Sequence, residues 1–407
     1  MLRQTAVGPI CGGDTFEYAA HSVVRSPLYP FVLDVFRLVF GAAGPFALVV
    51  FQVIIVLAAG FYLSAVLARL FKLPQWAFFV LCLVLTTPLI PSKTIYASVY
   101  GEIGNLLMTE AVSYSLFLFF FAFLAESVFS PERYALKAAM TAAAFLMVLA
   151  RGHFLFTYVP LAALIAAQAG RNGLRKAVSA FALLLMSLLA ANLVERVHNY
   201  YYNGIFVRPL QARAMILHTI LYSAPRPDFG YIKDAGDSAA LAAIYSEMEK
   251  QGTLAKQRGG REAAEFYGLT ALKGHHALLN AFALEKRLSL DTPPGQLELE
   301  KFCGRALPEV LRRNWRAYFK LAAKKFLWVT EFREGLFAGL LIALFAVAAP
   351  APLKTLLILA ALAHAGNYAL LSLSVAIITR YIFYTATLLQ ALIVVSLIML
   401  WRERRAG

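Results

Sequence analysis

The chain has little charge and little cysteine, and each shortage excludes a class of protein. Only 15% of its residues are charged, against roughly 25% in soluble domains. With 60% hydrophobic residues and a mean hydropathy of +0.66, there is too little polar surface to cover a water-soluble core. The three cysteines, Cys11, Cys82 and Cys303, lie far apart and match no metal-ligand spacing, so neither a zinc module nor a disulfide scaffold is expected. Cys11 and Cys303 could pair only if the fold joined them. No Walker loop, dinucleotide fingerprint, HExxH or GxSxG occurs, which argues against nucleotide-driven pumping, zincin chemistry and α/β-hydrolase chemistry. His275-His276 lacks a matching third ligand, and no heptad or solenoid repeat is visible.

Acidic residues are scarcest: 23 Asp and Glu face 38 Lys and Arg, for a net charge of +15. In a soluble protein that excess would suggest nucleic acid. Here the basic residues flank apolar runs or lie in one long hydrophilic segment, so topology and anionic lipid headgroups account for them and no nucleic-acid partner is expected.

What the chain does have is long apolar runs, with 31 Phe, 19 Tyr and 4 Trp to fill helix interfaces and anchor the headgroup level. Stretches that span or nearly span, given about 20 residues per membrane helix, fall at 45–68, 76–91, 107–129, 137–150, 154–168, 177–194, 335–350, 353–373 and 381–401. The expected fold is all-α: a polytopic transmembrane bundle of about nine segments with a mainly helical extracytoplasmic domain. Residues 1–43 form a first extracytoplasmic loop, 44–194 an N-terminal bundle, 195–333 the domain, and 334–407 the last membrane helices with a basic tail. The segment 195–333 is far longer than the 2–8 residues of an ordinary helix connection. Its final run, LPEVLRRNWRAYFKLAAKKFLWVTEF, alternates aromatic and basic residues as an interfacial helix does, with a phosphate-binding role as the alternative.

Lys and Arg prefer cytoplasmic turns. Arg69 and Lys72, Arg133 and Lys137, Arg171 with Arg175 and Lys176, Lys354, and Arg402 with Arg404 and Arg405 fall on alternate connections. This sets the C-terminus in the cytoplasm of an inner (cytoplasmic) membrane, with the first loop and the long domain on the opposite side.

Charged groups are costly in a bilayer, so those at the ends of apolar runs are informative. On the outer side they are Asp14, Glu17 and Arg25, then Lys93, Glu102 and Glu110, then Arg151 and His153. Asp14, Glu17 and Tyr18 fall at i, i+3 and i+4, on one face of a short helix. Asp14 there is a helix N-cap or first-turn residue, or a functional carboxylate. Pro27 and Pro30 bracket Tyr29 and restart the chain as an amphipathic helix with Asp34 and Arg37 on its polar side. Glu110 reads equally as a helix cap or a partner carboxylate. Arg151 and His153 read equally as a structural pair and as a phosphate site.

Asp14-Thr15-Phe16-Glu17-Tyr18, Arg25-Ser26-Pro27-Leu28-Tyr29-Pro30 and a helix ending Leu38-Val39-Phe40-Gly41 together resemble the first exterior loop of the GT-C membrane glycosyltransferases. These include the protein O-mannosyltransferase and lipid A aminoarabinose transferase relatives. Leu107-Met108-Thr109-Glu110, Arg151-Gly152-His153 and Arg380-Tyr381 extend the likeness. The resemblance implies sugar transfer from a polyprenyl-phosphate donor to a glycan, lipid or protein acceptor at the outer face of the membrane. Asp14 and Glu17 would be its catalytic carboxylates, Asp14 as general base or as ligand of a divalent metal, the one cofactor implied. Arg25, Tyr29, Lys93, Glu102, Glu110, Arg151 and His153 would bind substrate and phosphate. The pattern departs in having Gly13 where the family has Pro, in lacking a second acid beside Asp14, and in offering no helix before the first loop, so either a helix is missing upstream or the first strong helix inserts with its N-terminus outward. The competing readings are a non-catalytic or degenerate scaffold and a lipid or solute transporter. Against the transporter stand ionisable residues gathered at one face and the lack of internal repeats.

Overall fold

The computed structural model describes residues 9–11, 13–89, 107, 109–225, 228–257, 259, 269–331, 349–374 and 379–406. Helices dominate throughout, and no strand occurs among the described residues. The chain divides into two compact units, one of Met1–His198, Glu334–Asn367 and Thr379–Gly407, the other of Asn199–Arg333 and Tyr368–Ile378.

The first unit opens with α1 (Gly13–Ala19) and α2 (Leu28–Phe40), followed by α3 (Gly44–Leu70) and α4 (Gln75–Thr86). Two glycines make the α2–α3 turn. Gly41 sits at φ 55°, where side chains are strained. A Cβ on Gly44 would meet the Phe36 carbonyl oxygen at 2.9 Å. Then come α5 (Glu110–Phe129), α6 (Tyr134–Ala150), a 3-10 turn at Gly152–Thr157, α7 (Tyr158–Asn172) and α8 (Leu174–Asn203). Near the C-terminus stand α13 (Ala351–Ser374) and α14 (Thr379–Ala406).

Among the described residues six stretches are long and apolar enough to cross a membrane: Leu28–Leu70, Glu110–Phe129, Gly152–Gly170, Leu174–Asn203, Ala351–Leu373 and Ile382–Arg404. The expected nine are not all found. The runs at 76–91 and 137–150 form helices of 12 and 17 residues, about 18 and 25 Å long at 1.5 Å per residue, short of a hydrocarbon core about 30 Å thick. Proline limits the first, since Pro74 precedes it and Pro88 follows it in a 3-10 turn. The second ends where Arg151 turns extended (φ −158°, ψ 127°). Most of the expected span at 335–350 lies outside the described residues.

In this unit α5 packs against α3 and α6, while α4 packs against α14. Tyr114, Phe117, Phe120, Phe121, Phe154, Phe156 and Tyr384 fill its interior. Its outer faces stay apolar. Leu185, Met186, Leu189 and Leu193 of α8 are exposed, as are Phe31, Leu38 and Val39 of α2, beside the expected polar residues Arg37, exposed, and Asp34, half-exposed. Water would penalise such continuous apolar surface, whereas hydrocarbon does not.

One end of the unit collects the basic turns. Arg69 pairs with Glu126, and the Arg402 guanidinium donates to the Lys72 carbonyl at 2.5 Å. Lys137 and Lys176 line one small cavity, and Pro350 and Glu403 line another. The residue Glu110 opens α5, about 24 Å along the helix from Glu126, and thus marks the other end.

The second unit contains α9 (Ala212–Ser223), α10 (Ala235–Lys250), α11 (Leu269–Lys286) and α12 (Pro293–Glu331). The expected mainly helical character of residues 195–333 is what their described part shows. Helix α9 lies against α12 and α10 against α11, over a core that includes Leu217, Ile220, Leu241, Ile244, Phe282 and Phe302. Asp234 caps α10 by accepting from the Asp237 backbone N–H at 2.8 Å. The buried Asp237 carboxylate accepts two bonds from Arg305, at 2.7 and 2.9 Å, tying α10 to α12. All three cysteines are free: Cys11 is exposed, Cys82 and Cys303 buried.

Candidate functional site

The first-loop charges meet on α1, where Gly13 starts the helix and leaves Asp14 in its first turn. Arg25 comes back over this turn. Its Nη2 donates to Asp14 Oδ1 at 2.8 Å, its Nε donates to Glu17 Oε2, and its guanidinium carbon stands 5.2 Å from the Tyr18 ring centre. Burial disfavours the charged guanidinium, but Tyr18, Asp14 and Glu17 outweigh it and raise the Arg25 pKa above its usual value. The three side chains remain partly open to solvent.

Two contacts seat this cluster. The Thr15 hydroxyl donates to the Leu107 carbonyl at 3.0 Å, just ahead of α5. The Tyr29 hydroxyl donates to Gln52 Oε1 of α3 at 2.8 Å, and its ring packs edge-on against Tyr18 with centres 5.2 Å apart. Tyr18 and Tyr29 share an apolar cluster with Leu48, Val49, Leu107 and Val112, so the start of α5 is the floor on which the loop rests.

On that floor Glu110 Oε1 lies 2.9 Å from Arg151 Nη2, both side chains nearly excluded from solvent. Glu110 stands in the first turn of α5, where a negative charge is favoured, and Arg151 closes α6. The His153 ring packs 4.4 Å from Phe154 and 6.2 Å from Tyr384. Arg380 and Tyr381 fall in the first turn of α14. Lys93 and Glu102 lie outside the described residues.

The structure therefore brings Asp14, Glu17 and Arg25 into one cluster and Glu110 and Arg151 into another, joined through Thr15 and Leu107. It also adds residues that sequence reasoning did not select. His21 Nε2 stands 2.8 Å from Asp34 Oδ2 and His21 Nδ1 stands 3.1 Å from His198 Nε2, an Asp–His–His chain at the edge of the same loop. His21 sits at φ 48°, a conformation that costs a non-glycine residue about 1–3 kcal/mol. Only its place in the first loop pointed to it, since His198 is 177 residues away.

Arg25 takes Asp14 Oδ1 and Glu17 Oε2, and among the described residues no group of three His, Cys, Asp or Glu side chains is placed to hold a metal ion. What the cluster can do is orient a carboxylate for accepting a hydroxyl proton, since an ionised carboxylate has about four acceptor positions and Arg25 takes only part of them. No protein-family model, curated protein or solved structure matches the chain.

Proposed function

We propose that the protein is a membrane glycosyltransferase that moves a sugar from a polyprenyl-phosphate-linked donor to an acceptor hydroxyl at the outer face of the membrane. The observation carrying this reading is the Asp14–Arg25–Glu17 cluster, held to the start of α5 by the Thr15–Leu107 bond and to α3 by the Tyr29–Gln52 bond. Asp14 accepts the proton as the acceptor oxygen attacks the anomeric carbon, and the bond from that carbon to the phosphate oxygen breaks with its electron pair on the leaving lipid phosphate. Glu17 and Arg25 fix the Asp14 rotamer, and Lys93 is the cation this reading assigns to the departing phosphate. Arg151 is engaged by Glu110 and acts as a clamp under the loop rather than as a phosphate ligand. No step is routed through a metal.

Sidedness supports the same reading. The end of the first unit that gathers Arg69, Lys72 and Arg402 faces the cytoplasm by the charge rule for short loops. Asp14, Arg25, Glu110 and Arg151 then belong to the opposite, extracytoplasmic side of an inner membrane.

A second reading has its own observation. Arg25 and Arg151 each hold a carboxylate already, as a structural scaffold without catalysis would need. Sugar release from a polyprenyl-phosphate donor, followed for the wild type and Asp14→Asn at matched expression, separates the two. Transfer requires turnover in the wild type and a loss of about 10²–10⁴-fold in the variant. Equal turnover removes Asp14 as the base, and no turnover in either protein favours the scaffold.

A further inference from the structure

Helix α12 mixes basic and aromatic residues, and the fold sorts them. Tyr318 turns inward and is buried, while Arg313 lies over the Tyr231 ring, its guanidinium carbon 4.9 Å from the ring centre. Arg312, Trp315, Arg316, Phe319 and Lys320 are left on the exposed side. Trp315 and Phe319 each keep 49% of their surface open, and no step of the proposed transfer uses any of the five.

Arg312, Arg316 and Lys320 follow one another at i, i+4 and i+8, with Trp315 and Phe319 as a second row beside them. The Arg316 guanidinium carbon stands 5.4 Å from the Trp315 ring centre. Stacking of that kind uses the flat face of the guanidinium and leaves its edge donors for an anion. Between Phe302 and Thr330 the helix carries a single acid, Glu309, one turn before Arg312 and Arg313.

The level of this face in the bilayer follows from α13. Its apolar stretch Ala351–Leu373 has 23 residues, about 34 Å at 1.5 Å per residue, against a hydrocarbon core about 30 Å thick. Its ends, Leu373 among them, therefore lie at the headgroups. The Tyr318 hydroxyl donates to the Leu373 carbonyl, and the Phe326 and Tyr368 rings stand 6.3 Å apart. All four residues belong to the second unit. Trp315 and Phe319 lie within one turn of Tyr318, which brings them to the headgroup level, where aromatic rings anchor and basic side chains gain from anionic lipid.

We propose that the exposed face of α12 bearing Arg312, Trp315, Arg316, Phe319 and Lys320 binds the headgroups of anionic phospholipids in the leaflet where α13 ends. The proposal rests on α13 as a membrane span and not on the glycosyltransferase reading, because no first-loop residue takes part in it.

The test uses the full chain in nanodiscs of mixed phosphatidylcholine and phosphatidylglycerol, with one lipid or the other brominated near the top of its acyl chains. Bromine quenches tryptophan on contact, and the Trp315 signal is the difference between the wild type and Trp315→Phe. Both lipids are expected to quench Trp315, with phosphatidylglycerol enriched beside it at least about fivefold, the preference that one basic residue supplies at an anionic surface. High salt, which needs no substitution, should shrink that preference in the wild type. Arg312→Gln/Arg316→Gln/Lys320→Gln, made with and without Trp315→Phe, should bring it close to unity. Arg312→Lys/Arg316→Lys/Lys320→Arg should keep it, as should Lys301→Gln, which removes an exposed lysine paired with Glu298 farther up α12. Equal enrichment of the two lipids beside the wild type overturns the proposal, as does an undiminished preference in the glutamine variant. Absence of quenching by either lipid in the wild type also overturns it, since water or another partner would then cover the face.

Discussion

Arg151 Nη2 lies 2.9 Å from Glu110 Oε1, joining the end of α6 to the beginning of α5 with 9% and 1% of the two side chains exposed. A buried pair of this kind contributes little net stability, yet breaking it leaves a bare charge. Glu110→Gln or Arg151→Met alone is expected to cost about 3–5 kcal/mol, read as a lowered unfolding temperature in detergent. The combined variant should recover much of the loss. Losses that simply add would show that the two side chains do not act as a unit.

Arg25 bridges Asp14 and Glu17 through different nitrogens, a geometry that a lysine ammonium does not reproduce. Arg25→Lys should therefore behave more like Arg25→Gln than like the wild type. Both should increase proteolysis within the first loop, measured by limited digestion of reconstituted protein. Full protection of the lysine variant would show that charge alone holds the loop.

Asp237 gives the second unit an acid-sensitive tie. Its bonds to Arg305 outweigh burial and lower its pKa. The folded state thus keeps the carboxylate ionised at pH values where the unfolded chain, titrating near about 3.9, takes up a proton. The stabilisation is present above that unfolded value and is lost as pH falls through the lower folded one. Asp237→Asn should flatten the decline of stability on acidification, as followed by thermal unfolding from neutral to acid pH. An unchanged acid profile would place the sensitivity elsewhere.

Lys325 shows the opposite sign. Burial pushes its ammonium down to about 7, whereas an unfolded lysine titrates near about 10.4. Between those values the unfolded chain binds more protons, so stability should rise with pH across that window. Lys325→Met should be more stable than the wild type at neutral pH and should remove the rise. A variant less stable at pH 7 would mean that the ammonium is needed.

Hydropathy alone showed the helical character and the long apolar runs, since a bilayer-length helix needs only a contiguous stretch of suitable residues. The runs at 76–91 and 137–150 nearly span but form short helices, because Pro74, Pro88 and the extended Arg151 end them. The polar side expected of α2 is present, with Arg37 exposed and Asp34 half-exposed, but the pairing of Asp34 with His21 was not visible in the helical pattern. Spacing placed Asp14 and Glu17 on one helical face, and the site candidates at Arg25, Glu110 and Arg151 were visible as charges at the ends of apolar runs.

Which charge meets which was not visible in that pattern. Local periodicity reports neighbours three or four residues apart, and it determined the helices and the scarcity of charge within them. The Glu110–Arg151 clamp, the Thr15–Leu107 bond that seats the first loop and the His21–His198 contact each join residues far apart in the chain. Tertiary packing alone decided them, because it selects, among many possible partners, those that satisfy buried polar groups at least cost.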